Sequence, residues 1–379
     1  MKFSLIYEAQ TVEVSRERDI ELFGEIMEQV LLAEQLAFDT VWAVEHHALN
    51  QYAHMSASET FLAFVAGRTR NIGIGHGVVC VPPMMNHPIK VAERISMLDI
   101  LSEGRVHFGM GKGGTQQEAG CFGYQKPDAA SMLDEMMYLI PRIMVEEEIE
   151  FDGEWVSFPP RSIHPKPFQD PHPPLYLACT GDESLTIAGG RGIGALAFGF
   201  GGLEQVQRKN RIYREAFANR NPAEQAGYFP VEHLAVLCPV IIDEDRERAR
   251  RIGLRGQRFF IESLNQWAMG APAPDVESWG EDLTFVDDEG KAAVLIGSEL
   301  IHVDFTSPAG AIFNPNNAYG TVDDAIVYIE QLIEAGADEI LFFTQMGTVP
   351  HDVQMHTIRE LGEKVLPHFR GTRANIRIA

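Results

Sequence analysis

The run Phe38-Asp39-Thr40-Val41-Trp42-Ala43-Val44-Glu45-His46-His47 passes from a β-branched, apolar segment directly into a polar loop. Thr40 to Ala43 has the composition of a buried strand, with helical patterns at Ile20 to Leu36 before it and Ser58 to Arg68 after it. The loop between strand and second helix carries a carboxylate and two histidines, residue types suited to moving protons or steadying a charged intermediate. The stretch is therefore one β/α unit with its chemistry at the strand's C-terminal end.

The same alternation continues along the chain. Candidate strands are Lys2 to Tyr7, Thr40 to Ala43, Ile72 to Val81, Val106 to Met110, Leu175 to Ala178, Ala195 to Phe200, Leu234 to Ile242 and Glu339 to Phe343. Further helical patterns lie at Ile89 to Leu101, Ala129 to Glu147, Ser184 to Arg191, Leu203 to Ala218, Arg246 to Asn265, Asp323 to Glu334 and Val353 to Leu366. Strands separated by helices run parallel and are joined by right-handed crossovers. Eight of them predict an α/β fold, a (β/α)8 TIM barrel, and 379 residues exceed the roughly 250 such a barrel needs.

One domain over 1–379 is expected, with two interruptions. The segment 150–174 carries Pro159, Pro160, Pro165, Pro167, Pro171, Pro173 and Pro174, so it is neither helix nor central strand but an excursion before the fifth strand. The segment 271–319, the largest insertion, precedes the eighth strand, where it is either a lid over the barrel mouth or a plain surface insertion.

Composition narrows the function classes. The formal charge is 31 minus 54, or −23, which argues against nucleic acid and anionic membrane surfaces as partners. Cys80, Cys121, Cys179 and Cys238 are widely spaced and form no CxxC pair, as expected of reduced thiols in a cytoplasmic protein. The opening Met1-Lys2-Phe3-Ser4-Leu5-Ile6-Tyr7 is too short an apolar run for a signal peptide, and no stretch reaches the roughly 20 residues of a membrane span.

Residues just past each strand converge on the barrel mouth: Glu45, His46 and His47 after the second, Asn86-His87-Pro88 after the third, and Gly111-Lys112-Gly113-Gly114 after the fourth. Cys179-Thr180-Gly181-Asp182 follows the fifth. Gly109 to Gly114 satisfies GxGxxG by count, but a dinucleotide fingerprint needs a helix to open at once and an acid on a second strand about 20 residues on. Here the loop runs on through Thr115-Gln116-Gln117-Glu118 to Gly123. What survives is a turn of exposed amides with one cation, suited to a single phosphate. Thr180 to Ser184 opens a helix after a strand, which serves either as an anion site or as ordinary capping. For the histidines, a metal site would want more ligands at the mouth; the first strand's exit offers only Glu8, and no HxH or HExxH occurs. No metal is expected, while a structural role in satisfying loop carbonyls stays open.

Phe38 to Trp42 followed by Glu45-His46-His47 resembles the corresponding segment of the bacterial luciferase-like flavin monooxygenases. The resemblance continues through Asn71-Ile72-Gly73, His87-Pro88, Leu98-Asp99, Ser102-Glu103-Gly104-Arg105, Gly320-Thr321, Gly336-Ala337-Asp338 and Val365-Leu366-Pro367. It implies a (β/α)8 barrel that binds reduced FMN, with the phosphate near the fourth and fifth strands and the ring over the mouth. His46 matches the family's catalytic histidine, which supports a flavin C4a-peroxide, with Glu45 and His47 beside it. Gly77-Val78 stands where the family often has a non-prolyl cis peptide beneath the ring. Lys112 stands where luciferase's α subunit has an arginine on the FMN phosphate, and Gly111 replaces that subunit's reactive cysteine. Gly113 and Gly114 complete the turn; Gly181 and Ser184 occupy phosphate-contacting positions, and Thr180 falls where luciferase has a glutamate.

The resemblance implies a two-component monooxygenase that takes FMNH2 from a separate NAD(P)H-dependent flavin reductase and uses O2 as co-substrate on a small organic molecule. The alternatives are an F420-dependent hydride-transfer oxidoreductase on the same barrel and a non-catalytic flavin-binding protein. Tyr7, the loop after His47 and the 271–319 insertion are expected to set the substrate. A homodimer is expected, with the Ile89 to Leu101 helix a candidate for the interface.

Overall fold

The computed structural model describes residues 1–279, 293–296, 299–302 and 317–370. The eight strands are Lys2–Tyr7, Thr40–Ala43, Gly73–Cys80, Val106–Gly111, Leu175–Cys179, Gly194–Phe198, Leu234–Ile242 and Glu339–Phe343. Each pairs in parallel with the next, and the eighth pairs with the first, Lys2 opposite Glu339 and Leu5 opposite Phe342. The expected (β/α)8 barrel is thus closed. Most strand positions are buried, the pattern of a parallel sheet covered by helices on one side and filled by side chains on the other.

Two close approaches shape the interior. Trp42 is fully buried and lies across the third strand, where a Cβ on Gly75 would run into its indole ring. Gly109 and Gly111 on the fourth strand leave the room that Val78 occupies. At the N-terminal end, Glu339 is fully buried and accepts hydrogen bonds from Ser4 Oγ–H (2.5 Å) and Trp42 Nε1–H (2.9 Å). Its other oxygen is 2.9 Å from His233 Nε2. Burial alone would raise this carboxyl; the bond and charge of His233, with Ser4 and Trp42, bring it down to about 2.

Helices follow the predicted pattern with small shifts. Ser58–Arg68 and Leu203–Ala218 match to the residue, and the helix after the fifth strand begins at Asp182 rather than Ser184. The last expected helix is three pieces: His351–Glu360, a π turn over Leu361–Val365, and Leu366–Arg370. The 150–174 excursion opens with an antiparallel hairpin, Ile149–Asp152 with Ser157–Arg161, whose second strand carries Pro159 and Pro160 at an edge that needs no N–H donors. One expectation is corrected: the run after Gly114 does not continue as loop. Gln116–Cys121 is a short helix, because Thr115 and Glu118 form a reciprocal capping box.

Of the 271–319 insertion, the described part includes a short helical turn at Val276–Ser278 and an antiparallel pair, Ala293–Ile296 with Glu299–His302. The remainder, and with it the lid expectation, lies outside the described residues.

Candidate active site

The second strand delivers its loop to the mouth with its backbone already tied. Val44 N–H donates to Tyr7 O (3.3 Å) and His46 N–H to Met55 O (3.0 Å). Glu45 is 5% exposed and faces the third strand: Oε2 accepts from Cys80 N–H (2.9 Å), and Oε1 from Asn86 Nδ2 (2.7 Å). His47 Nε2 lies 2.9 Å from the same Oε1. A carboxylate saturated in this way locks two strand exits together, so Glu45 positions the loop and His47 braces Glu45.

His46 occupies the exposed side of that frame. Its Nδ1 lies 2.9 Å from Glu118 Oε1, and Glu118 is fully buried. Glu118 also accepts from His47 N–H (3.1 Å), Gly114 N–H (3.2 Å), Thr115 N–H (2.9 Å) and the Thr115 hydroxyl (2.9 Å). Burial opposes its ionisation, but the His46 and backbone bonds hold its carboxyl below the usual range. An anionic Glu118 only accepts, so His46 carries a proton on Nδ1 and leaves Nε2 as its exchanging nitrogen. Nε2 is 3.7 Å from Glu8 Oε2, and the Tyr52 ring meets the imidazole edge-on, centroids 5.2 Å apart. Burial lowers the His46 pKa, yet Glu118, Glu8 and Glu45 together raise it above the ordinary value.

The contacts of Glu118 and Glu8 with His46 went unrecognised in the sequence. The Thr115-x-x-Glu118 spacing was a usable signal for the capping box. Nothing local connected Glu118 to a histidine 72 residues earlier.

The accessible floor of the mouth lies beyond His46. Gly77 and Val78 on the third strand, Ala178 on the fifth and Phe198 on the sixth are half-buried in an otherwise buried barrel interior, and the Gly77–Val78 peptide is cis. Gly111 is buried beneath Val78. Beside this floor runs the glycine-rich turn. Lys112 is exposed and makes no ion pair or hydrogen bond among the described residues, while Gly113 adopts φ +81°, a left-handed conformation suited to glycine. Gly114 comes so close to His46 that a Cβ there would lie 3.5 Å from the ring.

The fourth and fifth strands are neighbours, Phe108 opposite Leu175, so the Thr180 to Ser184 turn opens on the same side. There the Ser184 hydroxyl donates to Gly181 O (2.7 Å) and accepts from Gly181 N–H (3.3 Å). Thr180 is exposed. Capping therefore occupies the two positions expected to contact phosphate, and an incoming anion must compete with it. Two cations the sequence reading did not name stand nearby: Arg208 pairs with Asp182, and Lys209 donates to Phe198 O (2.7 Å). Burial pushes the Lys209 amine down to about 8.

Fold and site together define a (β/α)8-barrel enzyme with a carboxylate-bound histidine at the mouth, an apolar floor beside it and cations at the floor's edge. Residues 1–299 match the luciferase-like monooxygenase family, and the chain belongs to that family. It is accordingly an oxidoreductase, a flavin-dependent monooxygenase, as the resemblance implied. It is 24% identical over 388 residues to the oxygenase component of flavin-dependent trigonelline monooxygenase from Acinetobacter baylyi, covering 100% of this chain and 98% of that protein. It is also 23% identical over 366 residues to the F420-dependent glucose-6-phosphate dehydrogenase of Amycolatopsis mediterranei, covering 95% and 99%. Among solved structures, the monooxygenase RslO1 of Streptomyces bottropensis aligns with a TM-score of 0.74 at 25% identity, covering 97% of this chain and 100% of that one. No helix among the described residues is long and apolar enough to cross a membrane.

Proposed function

We propose that the chain is the oxygenase of a two-component system, taking FMNH2 from a separate NAD(P)H-dependent flavin reductase and using O2 to oxygenate a small organic substrate. The observation that carries this reading is His46, held by Glu118 at Nδ1 with Nε2 left to exchange its proton, at the edge of an apolar floor bordered by Lys112, which has no partner among the described residues. The site suits FMN at both ends: a flat apolar surface for a ring, and a glycine turn, a helix N-terminus and cations for one phosphate. The similarity to a protein named an oxygenase component adds weight to a separate reductase.

In this reading Lys112, Gly113 and Gly114, with Thr180, Gly181, Ser184 and Arg208, hold the phosphate. Gly77, Val78 and Gly111 form the seat of the ring. Reduced FMN, when bound, supplies the two electrons that activate O2. One oxygen atom enters the substrate and the other leaves as water, which requires protons at a defined place. His46 provides that place through Nε2, Glu118 fixes its tautomer, and Glu45 and His47 hold the loop. The packed rings of Tyr52, Phe260, Phe200 and Phe343 keep water from the neighbouring half of the mouth.

Anaerobic titration with FMNH2 and with reduced F420, followed by oxygen uptake on admitting air, tests the proposal. FMNH2 binding with oxygen-dependent turnover supports it. Preference for F420 transfers the assignment to hydride transfer, and binding of FMNH2 without oxygen turnover leaves a flavin carrier. We also infer a homodimer, because Phe64 on the Ser58–Arg68 helix and Met97 and Leu101 on the Pro88–Leu101 helix are large exposed apolar side chains on adjoining helices. A cytoplasmic location accords with four free cysteines.

A further inference from the structure

One buried polar group at the mouth has no part in the reading above. Glu8, the first residue past the first strand, is 6% exposed, and its Oε2 meets no hydrogen-bond donor among the described residues. Burying a carboxylate oxygen without a donor costs stability, so the position calls for a reason. The oxygen faces His46 Nε2 at 3.7 Å. That exceeds a direct hydrogen bond but falls within what a small side-chain adjustment or one bridging water closes. The opposite nitrogen is already committed to Glu118 at 2.9 Å. The imidazole therefore stands between two carboxylates of opposite character, one saturated with donors and one with none at Oε2.

We propose that Glu8 is a second proton-exchanging residue of this site, sharing one transferable proton with His46 between Oε2 and Nε2 while Glu118 holds the ring from Nδ1. The proposal rests on the assignment of His46 as the acid–base group of an oxygenase. In the step it describes, the N–H bond at Nε2 breaks as an O–H bond forms on the oxygen that departs as water. That leaves Glu8 as a carboxylate beside an unprotonated Nε2, and one proton from solvent, taken up at Oε2 or Nε2, restores the shared proton. The electrons are those of the reduced flavin, so no further reductant is required.

The electrostatics of the pair agree with a shared proton near neutral pH. Burial, helped by the charge of Glu118 and opposed by that of His46, pushes the Glu8 carboxyl up to about 7. The other titratable groups facing the pair are Glu118, Glu45 and Tyr52, with Tyr7 next in the chain. Glu45 is taken up by Cys80, Asn86 and His47, and burial holds both tyrosines protonated far above neutrality. Among the described residues no lysine or arginine forms an ion pair with Glu8, Glu45 or Glu118. His46 is thus the one cation-forming partner Glu8 has there.

The test is a titration of the cofactor-free full chain by NMR, with carbon-13 in glutamate carboxyls and histidine rings, signals being assigned by Glu8→Gln and His46→Gln. The expected result is a Glu8 carboxyl that titrates near neutrality together with His46. In Glu8→Gln, the proton affinity of His46 should fall at least about tenfold, as loss of a charge under 4 Å away requires. An unchanged His46 midpoint in Glu8→Gln, or a Glu8 carboxyl titrating in the ordinary range in the wild-type chain, overturns the proposal; the second measurement needs no variant to fold. The second arm mixes FMNH2-loaded protein with air and follows peroxide release against pH. Glu8→Gln should lose one limb of the profile with FMNH2 affinity unchanged, and an unaltered profile also overturns the proposal. Failure of the wild-type chain to bind FMNH2 overturns the oxygenase reading instead, while the NMR arm still decides whether Glu8 and His46 share a proton.

Discussion

Replacing Glu339 by Gln at the barrel's N-terminal end should destabilise the protein by about 3 kcal/mol at neutral pH. The substitution keeps the side chain's size and one oxygen, so Ser4 and Trp42 retain an acceptor at the position where they now donate. What is lost is the charge that faces His233. The carboxyl is held down from 4.5 to about 2, a shift of roughly 2.5 pH units at 1.36 kcal/mol each. A carboxyl with a depressed folded-state pKa stabilises the protein above its unfolded value and loses that contribution as pH falls towards the folded one. The stability gap between wild type and Glu339→Gln should therefore be full at pH 7 and about 1.4 kcal/mol smaller at pH 3.5. With an unfolding entropy of about 2.1 cal/mol/K per residue, 379 residues give about 0.8 kcal/mol/K, so the neutral-pH gap corresponds to roughly 4 °C in Tm. Scanning calorimetry at both pH values provides the comparison. A gap under 1 kcal/mol at pH 7, or one that does not shrink on acidification, would falsify the assignment of a charged, stabilising Glu339.

Three further outcomes follow from the mouth. His46→Ala should reduce substrate oxygenation by about 10² to 10⁴-fold and raise wasted peroxide, the range for removing a proton-transfer group; unchanged coupling of oxygen uptake to product removes His46 from the reaction. Lys112→Met should weaken FMNH2 binding by about 10- to 100-fold, the loss of one charged contact to phosphate, and leave reduced riboflavin unaffected. Equal losses for the two ligands in anaerobic titration would refute the phosphate role. Glu8→Gln should stabilise the folded chain at pH 8 by about 3 kcal/mol and have little effect at pH 4, because a carboxyl raised to about 7 costs stability only once pH passes its unfolded value; a variant less stable than wild type at pH 8 contradicts this sign.

The barrel was legible because its strands are buried on both faces. Such strands appear as continuous apolar runs, and Leu234 to Ile242 or Glu339 to Phe343 admit no other reading between helical patterns. His46 was legible because its neighbours in sequence are also its neighbours in space. Glu118 was not, since its importance depends on a helix folding back over a loop 72 residues earlier. The same holds for Glu339, the first residue of the eighth strand and like many others until closure of the barrel brings it to Ser4 and Trp42. The Ser184 hydroxyl illustrates the reverse case, because its residue type fits both anion binding and capping, and the local geometry it adopts is capping.

Glu339 and Glu8 are the same residue type buried at opposite ends of one barrel, and the fold treats them in opposite ways. At the bottom, every donor within reach is supplied, and the resulting charge adds to stability. At the top, Glu8 Oε2 receives no donor among the described residues, and burial pushes the carboxyl up to about 7. A core selected for stability alone would resolve the second case with a glutamine or a supplied donor, as it did the first. Its retention within 3.7 Å of the exchanging nitrogen of His46 places the cost where a proton must be held and released. Glu118 makes the arrangement one-sided: by accepting the hydrogen bond from Nδ1–H it prevents the ring from turning its exchanging nitrogen away from Glu8. Stability and proton handling are thus separated along the barrel axis, with a saturated carboxylate at the closed end and an unsaturated one at the open end.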